Sequence, residues 1–112
     1  MREVDRRSAQ VLMERGIAAE RSGSIAEALH CYQEAARTQP EFVAAHMSLG
    51  IACEALGDLV GAVASYARVI ALDPEYAPGH YNLGLARLRN GNWLEAESST
   101  TPSNLELMVG LG

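Results

Sequence analysis

The chain has 112 residues, 48% of them hydrophobic, and a formal net charge of −5, with no lysine among its nine basic side chains. This length suits a single domain with a modest core. The acidic balance argues against nucleic acid as a partner, because phosphate binding requires a basic surface, and against an anionic membrane surface. No apolar run approaches the roughly 20 residues that span a bilayer. The N-terminus also lacks the apolar segment of a secretory signal.

Helical periodicity alternates with short breaks from the start of the chain. Apolar residues at helical spacing predict a helix over residues 8–21. Gly23 suits a left-handed helix end after it, and Ser24 suits the next N-cap. A second helix is predicted from Ile25 to Thr38. It stops before Pro40, because proline disfavours helical geometry in the residue that precedes it.

The same order of elements then restarts. One helix is predicted from Phe42 to Ala55, its partner from Leu59 to Leu72, and a further helix from Tyr76 to Arg89. The segment Asn90–Asn92 predicts a turn that leads into Trp93. Connections of three or four residues force the two helices of each pair to run antiparallel.

A repeat of 34 residues underlies this order, since Gly16, Gly50 and Gly84 are spaced by that step. The same step separates three further sets of residues: Gly23, Gly57 and Gly91; Ala28, Ala62 and Ala96; Pro40 and Pro74. Self-similarity at a fixed period indicates stacked copies of one supersecondary unit. Such arrays typically present a binding surface and not a catalytic pocket.

In this spacing the chain resembles the tetratricopeptide repeat family. The residues that carry the resemblance are Leu12, Gly16, Ala28, Tyr32, Ala35 and Pro40; Leu49, Gly50, Ala62, Tyr66 and Pro74; and Leu83, Gly84 and Ala96. The resemblance implies an all-α fold of antiparallel helix hairpins stacked as a short right-handed α-solenoid of about two and a half repeats. The expected boundaries are an N-terminal extension at 1–8, repeats at 9–42 and 43–76, a partial repeat at 77–100 and an atypical apolar tail at 101–112.

The third repeat departs from the pattern in its second half. Thr100 stands where the first two repeats have Tyr32 and Tyr66, and the Ser- and Thr-rich run from Glu97 to Ser103 contains a helix-breaking proline. Three interpretations stay open. The chain is a truncated or variant end of a longer array with a disordered tail, the tail forms a short closing helix with Asn104 as its N-cap, or the unfinished end associates with another copy.

Nothing in the sequence points to catalysis, a metal site or another cofactor. His46 and His80 share a repeat position, but equivalent positions on stacked helices lie about 8–10 Å apart. That distance is too long for shared bonds of about 2 Å to zinc, so their position reflects repetition. Cys31 and Cys53 form no CxxC pair and suit small buried hydrophobes of a reducing compartment. We therefore expect a cytoplasmic, non-catalytic protein.

The resemblance also implies that the first helix of each repeat lines a concave groove. The side chains expected to form a peptide-binding site there are Met13, Ile17, Glu20, Arg21, Met47, Ile51, Glu54, Tyr81, Asn82, Leu85 and Arg89. The side chains with which some family members clamp a C-terminal carboxylate are absent. Of the asparagine ladder found in glycosyltransferase-linked members, only Asn82 is present. An apolar strip with methionines predicts an apolar or amphipathic peptide segment as the partner.

The expected function is that of a non-catalytic protein–protein interaction scaffold. One alternative is a self-assembly module that forms a homo-oligomer through the incomplete third repeat and the tail. Another is a recruiting fragment of a larger repeat-containing protein such as a glycosyltransferase. Occupation of the groove by the chain itself, through residues 1–7 or Leu105–Leu111, also competes with an external peptide.

Overall fold

The computed structural model describes residues 2–98, and these residues form five α-helices without a strand. The helices are α1 (Arg2–Arg21), α2 (Ile25–Thr38), α3 (Val43–Ala55), α4 (Leu59–Leu72) and α5 (Ala77–Ser98). Each helix packs against the next one along the chain. The result is the all-α helical repeat solenoid expected from the sequence, with two complete hairpins followed by α5. Within residues 2–98, no helix has the length and apolar character needed to cross a membrane.

Most helix boundaries agree with the predictions. α2 and α4 begin and end at the predicted residues, and α3 begins one residue later than predicted. α1 begins at Arg2, well before the predicted residue 8. No helix breaker precedes residue 8, and Glu3 pairs with Arg6 at 3.7 Å and with Arg7 at 3.5 Å. Ion pairs at these spacings support a helix, which explains the earlier start.

Glycine permits the turn within both complete hairpins. Gly23 and Gly57 have φ angles of 90° and 84°, in the left-handed region that side chains disfavour. The amide of Ser24 donates to the carbonyl of Ala19 at 2.8 Å, and the amide of Gly23 donates to that of Glu20 at 3.0 Å. The same two bonds recur in the second turn. Both first helices therefore end in a Schellman motif, which satisfies their terminal carbonyls.

The second helices of the hairpins begin differently. Oδ1 of Asp58 accepts a hydrogen bond from the amide of Gly61 at 2.9 Å and so caps α4. Ser24 occupies the equivalent N-cap position of α2, but its hydroxyl makes no capping hydrogen bond. The N-cap predicted at Ser24 thus has the right position without the stabilising side-chain contact.

Two tyrosines and a set of small residues build the core. Tyr32 and Tyr66 are 1% and 0% exposed. A Cβ atom added at Gly16 would lie 2.5 Å from Cε1 of Tyr32, and one added at Gly50 would lie 2.5 Å from Cε1 of Tyr66. Each glycine therefore leaves room for the ring that packs on it. Small side chains buried in the same two hairpins are Ala28, Cys31, Ala35, Ala52, Cys53 and Ala62.

The turn predicted at Asn90–Asn92 is wrong. α5 continues through these residues to Ser98, and Gly91 lacks the positive φ of the two hairpin glycines. In both complete hairpins the second helix buries a tyrosine against the first, whereas the sequence offers Thr100 at the third such position. A third hairpin would therefore bury little apolar surface to offset the cost of its turn, and the helix continues.

The predictions for the C-terminal tail concern residues that the structure does not describe. The apolar tail at 101–112, the closing helix that begins at Asn104 and association through this tail all lie outside residues 2–98.

Candidate functional site

The first helices α1, α3 and α5 carry the apolar side chains of the predicted groove. One repeat position holds Ile17, Ile51 and Leu85, in that order along the three helices. Ile17 and Ile51 are 39% and 42% exposed, and Leu85 is half-buried. Because these residues share one position in successive repeats, open apolar surface recurs on all three helices.

A second repeat position, held by Met13, Met47 and Tyr81, becomes more exposed from the first repeat to the third. Met13 is only 5% exposed and belongs to the core cluster that contains Tyr32. Met47 is half-buried and packs against the second cluster, which contains Leu83. Tyr81, at the same repeat position, is 68% exposed. The Met13 side chain therefore stabilises the first hairpin and supplies no open surface to a groove.

Two of the predicted groove residues, Glu20 and Glu54, bind the core tyrosines. The hydroxyl of Tyr32 donates to Oε1 of Glu20 at 2.5 Å, and the hydroxyl of Tyr66 donates to Oε1 of Glu54 at 2.7 Å. A tyrosine hydroxyl at this depth would be costly without an acceptor. Burial, and then the neighbouring carboxylate, raise the pKa of both tyrosines above the ordinary value. The signal for these pairs was present in the sequence, since a glutamate precedes the tyrosine by 12 residues in both repeats.

Glu54 also connects the second repeat to the third. Its Oε2 accepts a hydrogen bond from Nη1 of Arg89 at 2.6 Å, which links α3 to α5. The side chains of Glu54 and Arg89 are 20% and 57% exposed, so the pair contributes less than about 1 kcal/mol to stability. Its effect on the surface is larger, because it holds the Arg89 guanidinium against Glu54, which lies one helical turn after Ile51 on α3. The residue equivalent to Arg89 in the second repeat is Ala55, so the same link cannot form between the first repeat and the second.

Two other predicted groove residues, Arg21 and Asn82, lie on different helices, α1 and α5. Arg21 is exposed in the last turn of α1, where a cation interacts favourably with the helix dipole. Asn82 is half-buried in α5.

The two histidines at a common repeat position have structural partners. Nε2 of His46 donates to the carbonyl oxygen of Pro40 at 2.8 Å, and Nε2 of His80 donates to that of Pro74 at 2.6 Å. Each imidazole ties the first turn of a helix to the proline turn that precedes it. Where the structure describes side chains, in residues 3–91, no three of His, Cys, Asp or Glu are grouped in a way that could hold a metal ion.

Comparison with known proteins agrees with this architecture. A family model described as tetratricopeptide repeat matches residues 13–77, and a second model with that description matches residues 65–98. Among solved structures, the chain is similar to the first TPR of Spaghetti (RPAP3) bound to HSP90 peptide SRMEEVD. The two share 24% sequence identity with a TM-score of 0.72, over 81% of this chain and 74% of that chain. No curated protein matches the chain. Because the first family model covers more than half of its length, the chain belongs to the tetratricopeptide repeat family.

Proposed function

We propose that the chain is a non-catalytic interaction module that binds an apolar or amphipathic peptide segment along α1, α3 and α5. Its family and its likeness to a peptide-bound repeat domain support a protein–protein interaction role. The proposal of an apolar or amphipathic peptide rests on the exposure of Ile17, Ile51 and Tyr81, at 39%, 42% and 68%. Single exposed apolar side chains are ordinary, but their recurrence as a row on successive first helices is typical of surface that partners cover.

The charges beside this row favour an apolar peptide over an acidic one. The peptide bound to the similar solved structure, SRMEEVD, contains three acidic residues. In this chain Arg89 is already paired with Glu54, so its charge is partly neutralised before any peptide arrives. A helical segment with apolar side chains at i, i+4 and i+7 would fit the row, and Met47 can adapt its shape to such a segment.

Peptide selection followed by substitution in the groove tests this proposal. Peptides of roughly 16 residues, about four helical turns, are selected from a random library on the full chain. Their affinities are then measured by fluorescence anisotropy for the parent chain and for Ile51→Arg. Val60→Arg is the matched control, because Val60 lies on α4 with 70% of its surface exposed.

We expect Ile51→Arg to weaken binding by about tenfold or more, since the guanidinium replaces a central apolar contact. Val60→Arg should leave the affinity unchanged, and circular dichroism should show equal helicity for all three proteins. The peptide SRMEEVD serves as a specificity control that we expect to bind much more weakly. Equal affinity of the selected peptides for the parent and Ile51→Arg would show that the groove is not the binding surface.

A further inference from the structure

The third repeat keeps the glycine of the tyrosine-filled notch, but no described residue fills it. Gly84 occupies the repeat position of Gly16 and Gly50, on which Tyr32 and Tyr66 pack. Among residues 3–91, whose side chains the structure describes, no atom lies within 4 Å of a Cβ atom added at Gly84. Gly84 is also exposed. α5 therefore presents a notch of the kind that accepts a large side chain from a neighbouring helix.

The residue that would face such a side chain differs in the third repeat. Leu88 stands at the position from which Glu20 and Glu54 accept the tyrosine hydroxyls, and it is 54% exposed. A tyrosine placed in this notch would lose its carboxylate acceptor, which is costly for a buried hydroxyl. An aliphatic side chain or a phenyl ring would instead gain apolar contact with Leu88.

A second substitution adds a cation beside the notch. Arg87 stands where the first two repeats have Ala19 and Cys53, which are 7% and 6% exposed. Cys53 lies against the second helix of its hairpin, since its Sγ would be 3.1 Å from a Cβ atom added at Gly61. A helix packed on α5 in the same way would cover Arg87. A buried guanidinium requires a carboxylate partner, so the occupant must supply one.

The charge of the segment around the notch also favours an acidic occupant. No Asp or Glu occurs from Tyr76 to Leu94, whereas the chain as a whole carries a net charge of −5. Within that segment Arg89 is paired with Glu54. Arg87 is thus the cation that adjoins the notch on the exposed side of α5, and it favours an acidic occupant.

A second copy of the chain is a poorer occupant than a different protein. The outer face of α1, at the other end of the array, bears Arg7 and Arg15 around an open cavity of about 350 Å³. The later repeats have Leu49 and Leu83 at the position of Arg15, so this end is more polar than the interfaces inside the array. Stacking two copies end to end would bring the end that bears Arg7 and Arg15 toward the end that bears Arg87, and like charges repel.

We propose that the face formed by Gly84, Arg87 and Leu88, the Gly84 face, docks an acidic amphipathic helix of another protein. The docked helix places an apolar side chain on Gly84 and a carboxylate against Arg87, and it completes the third hairpin between two chains. Leu88 stands at the repeat position of the groove residues Glu20 and Glu54, so the Gly84 face borders the groove of the proposed function. Gly84 and Arg87 are not among the groove residues, and Ile51 lies on α3, so substitutions at these positions tell the failure of one site from the failure of the other.

Two designed peptides test the charge and shape of the Gly84 face. The first is a helical peptide of roughly 20 residues with leucines along one face and glutamates beside them. The second has lysine in place of every glutamate. Binding to the full chain is followed by fluorescence anisotropy. We expect the acidic peptide to bind at least about tenfold more tightly at low salt, and the difference to shrink as salt is added.

Three variants of the full chain locate the binding. Gly84→Leu fills the notch with a good helix former in open space, so the fold persists while affinity for the acidic peptide falls by about tenfold or more. Arg87→Glu reverses the preference in favour of the lysine peptide. Val60→Arg, on the exposed side of α4, leaves both affinities unchanged.

Several results would overturn the proposal. One is the absence of binding by the acidic peptide, or equal binding by the parent, Gly84→Leu and Arg87→Glu. A dimer seen by sedimentation that Gly84→Leu converts to monomer would make a second copy the occupant. Peptide binding that appears only after Leu105→Ser and Leu107→Ser are introduced together would make the chain's own C-terminal segment the occupant.

Discussion

The ring of Tyr66 occupies the space that a side chain at Gly50 would need. A Cβ atom added at Gly50 would lie 2.5 Å from Cε1 and 2.8 Å from Cδ1 of this ring. Real Cβ atoms do not approach ring carbons so closely, so the ring or one of the two helices would have to move. The glycine therefore sets how closely α3 and α4 approach, and the tyrosine fills the gap that remains.

Gly50→Ala and Gly84→Ala should change stability in opposite directions. Gly50→Ala forces the Tyr66 ring from its place and should lower the free energy of unfolding by about 1–3 kcal/mol. Gly84→Ala adds a methyl group in open space within a helix and should raise it by about 0.5–1 kcal/mol. Urea denaturation followed by circular dichroism measures both. Equal effects of the two changes would contradict the packing of Tyr66 on Gly50.

The fold was predictable because its determinants are local and repeated. α2 and α4 have the predicted ends, since a glycine turn precedes each of them and a proline follows. Asn90–Asn92 has equally turn-like residues, yet it lies within α5. A turn of this kind needs a second helix that buries a side chain, and that requirement is not visible in three residues.

The candidate site was less predictable because exposure depends on neighbouring helices. Met13 and Tyr81 share a repeat position, but their exposed fractions are 5% and 68%. The first hairpin covers Met13 with the side chains around Tyr32, whereas α5 has no described second helix to cover Tyr81. The role of Glu54 as the acceptor for both Tyr66 and Arg89 also depended on tertiary contacts.

Gly57→Ala and Gly91→Ala test where the turns lie. Gly57 has a φ of 84°, which is strained for alanine, so Gly57→Ala should lower the free energy of unfolding by about 1 kcal/mol. Gly91 lies within α5, and Gly91→Ala should be stabilising by up to about 1 kcal/mol. Thermal denaturation of both variants measures these two changes in stability. Destabilisation by Gly91→Ala would restore the turn that the sequence predicted at Asn90–Asn92.

Asp58→Ala and Ser24→Ala compare a capped helix with an uncapped one. Asp58 accepts a hydrogen bond from the amide of Gly61, so its removal should lower the free energy of unfolding by about 1 kcal/mol. Ser24 makes no such bond, so Ser24→Ala should lower the free energy of unfolding by only about 0.2–0.4 kcal/mol. Urea denaturation of the two variants gives the comparison. A loss at Ser24 as large as that at Asp58 would mean that the serine hydroxyl caps α2 in solution.

Stability should fall in alkaline solution because of the two core tyrosines. Burial and the hydrogen-bonded carboxylates raise the pKa of Tyr32 and Tyr66 above the value of about 10 expected in the unfolded chain. Above that value the unfolded chain loses protons that the folded chain retains, so unfolding becomes more favourable as pH rises. The stabilisation is complete below about pH 10 and decreases progressively above it.

Removing the two hydroxyls should flatten this dependence. The melting temperature is measured from about pH 8 to 11 for the parent and for Tyr32→Phe combined with Tyr66→Phe. Burial also raises the pKa of the Cys53 thiol, which destabilises the fold in the same direction at alkaline pH, so both proteins carry Cys53→Ala. The phenylalanine variant should lose less stability across the range, because it has no buried phenol to keep protonated. Parallel melting curves would show that other groups govern alkaline unfolding and that the bonds to Glu20 and Glu54 contribute little to it.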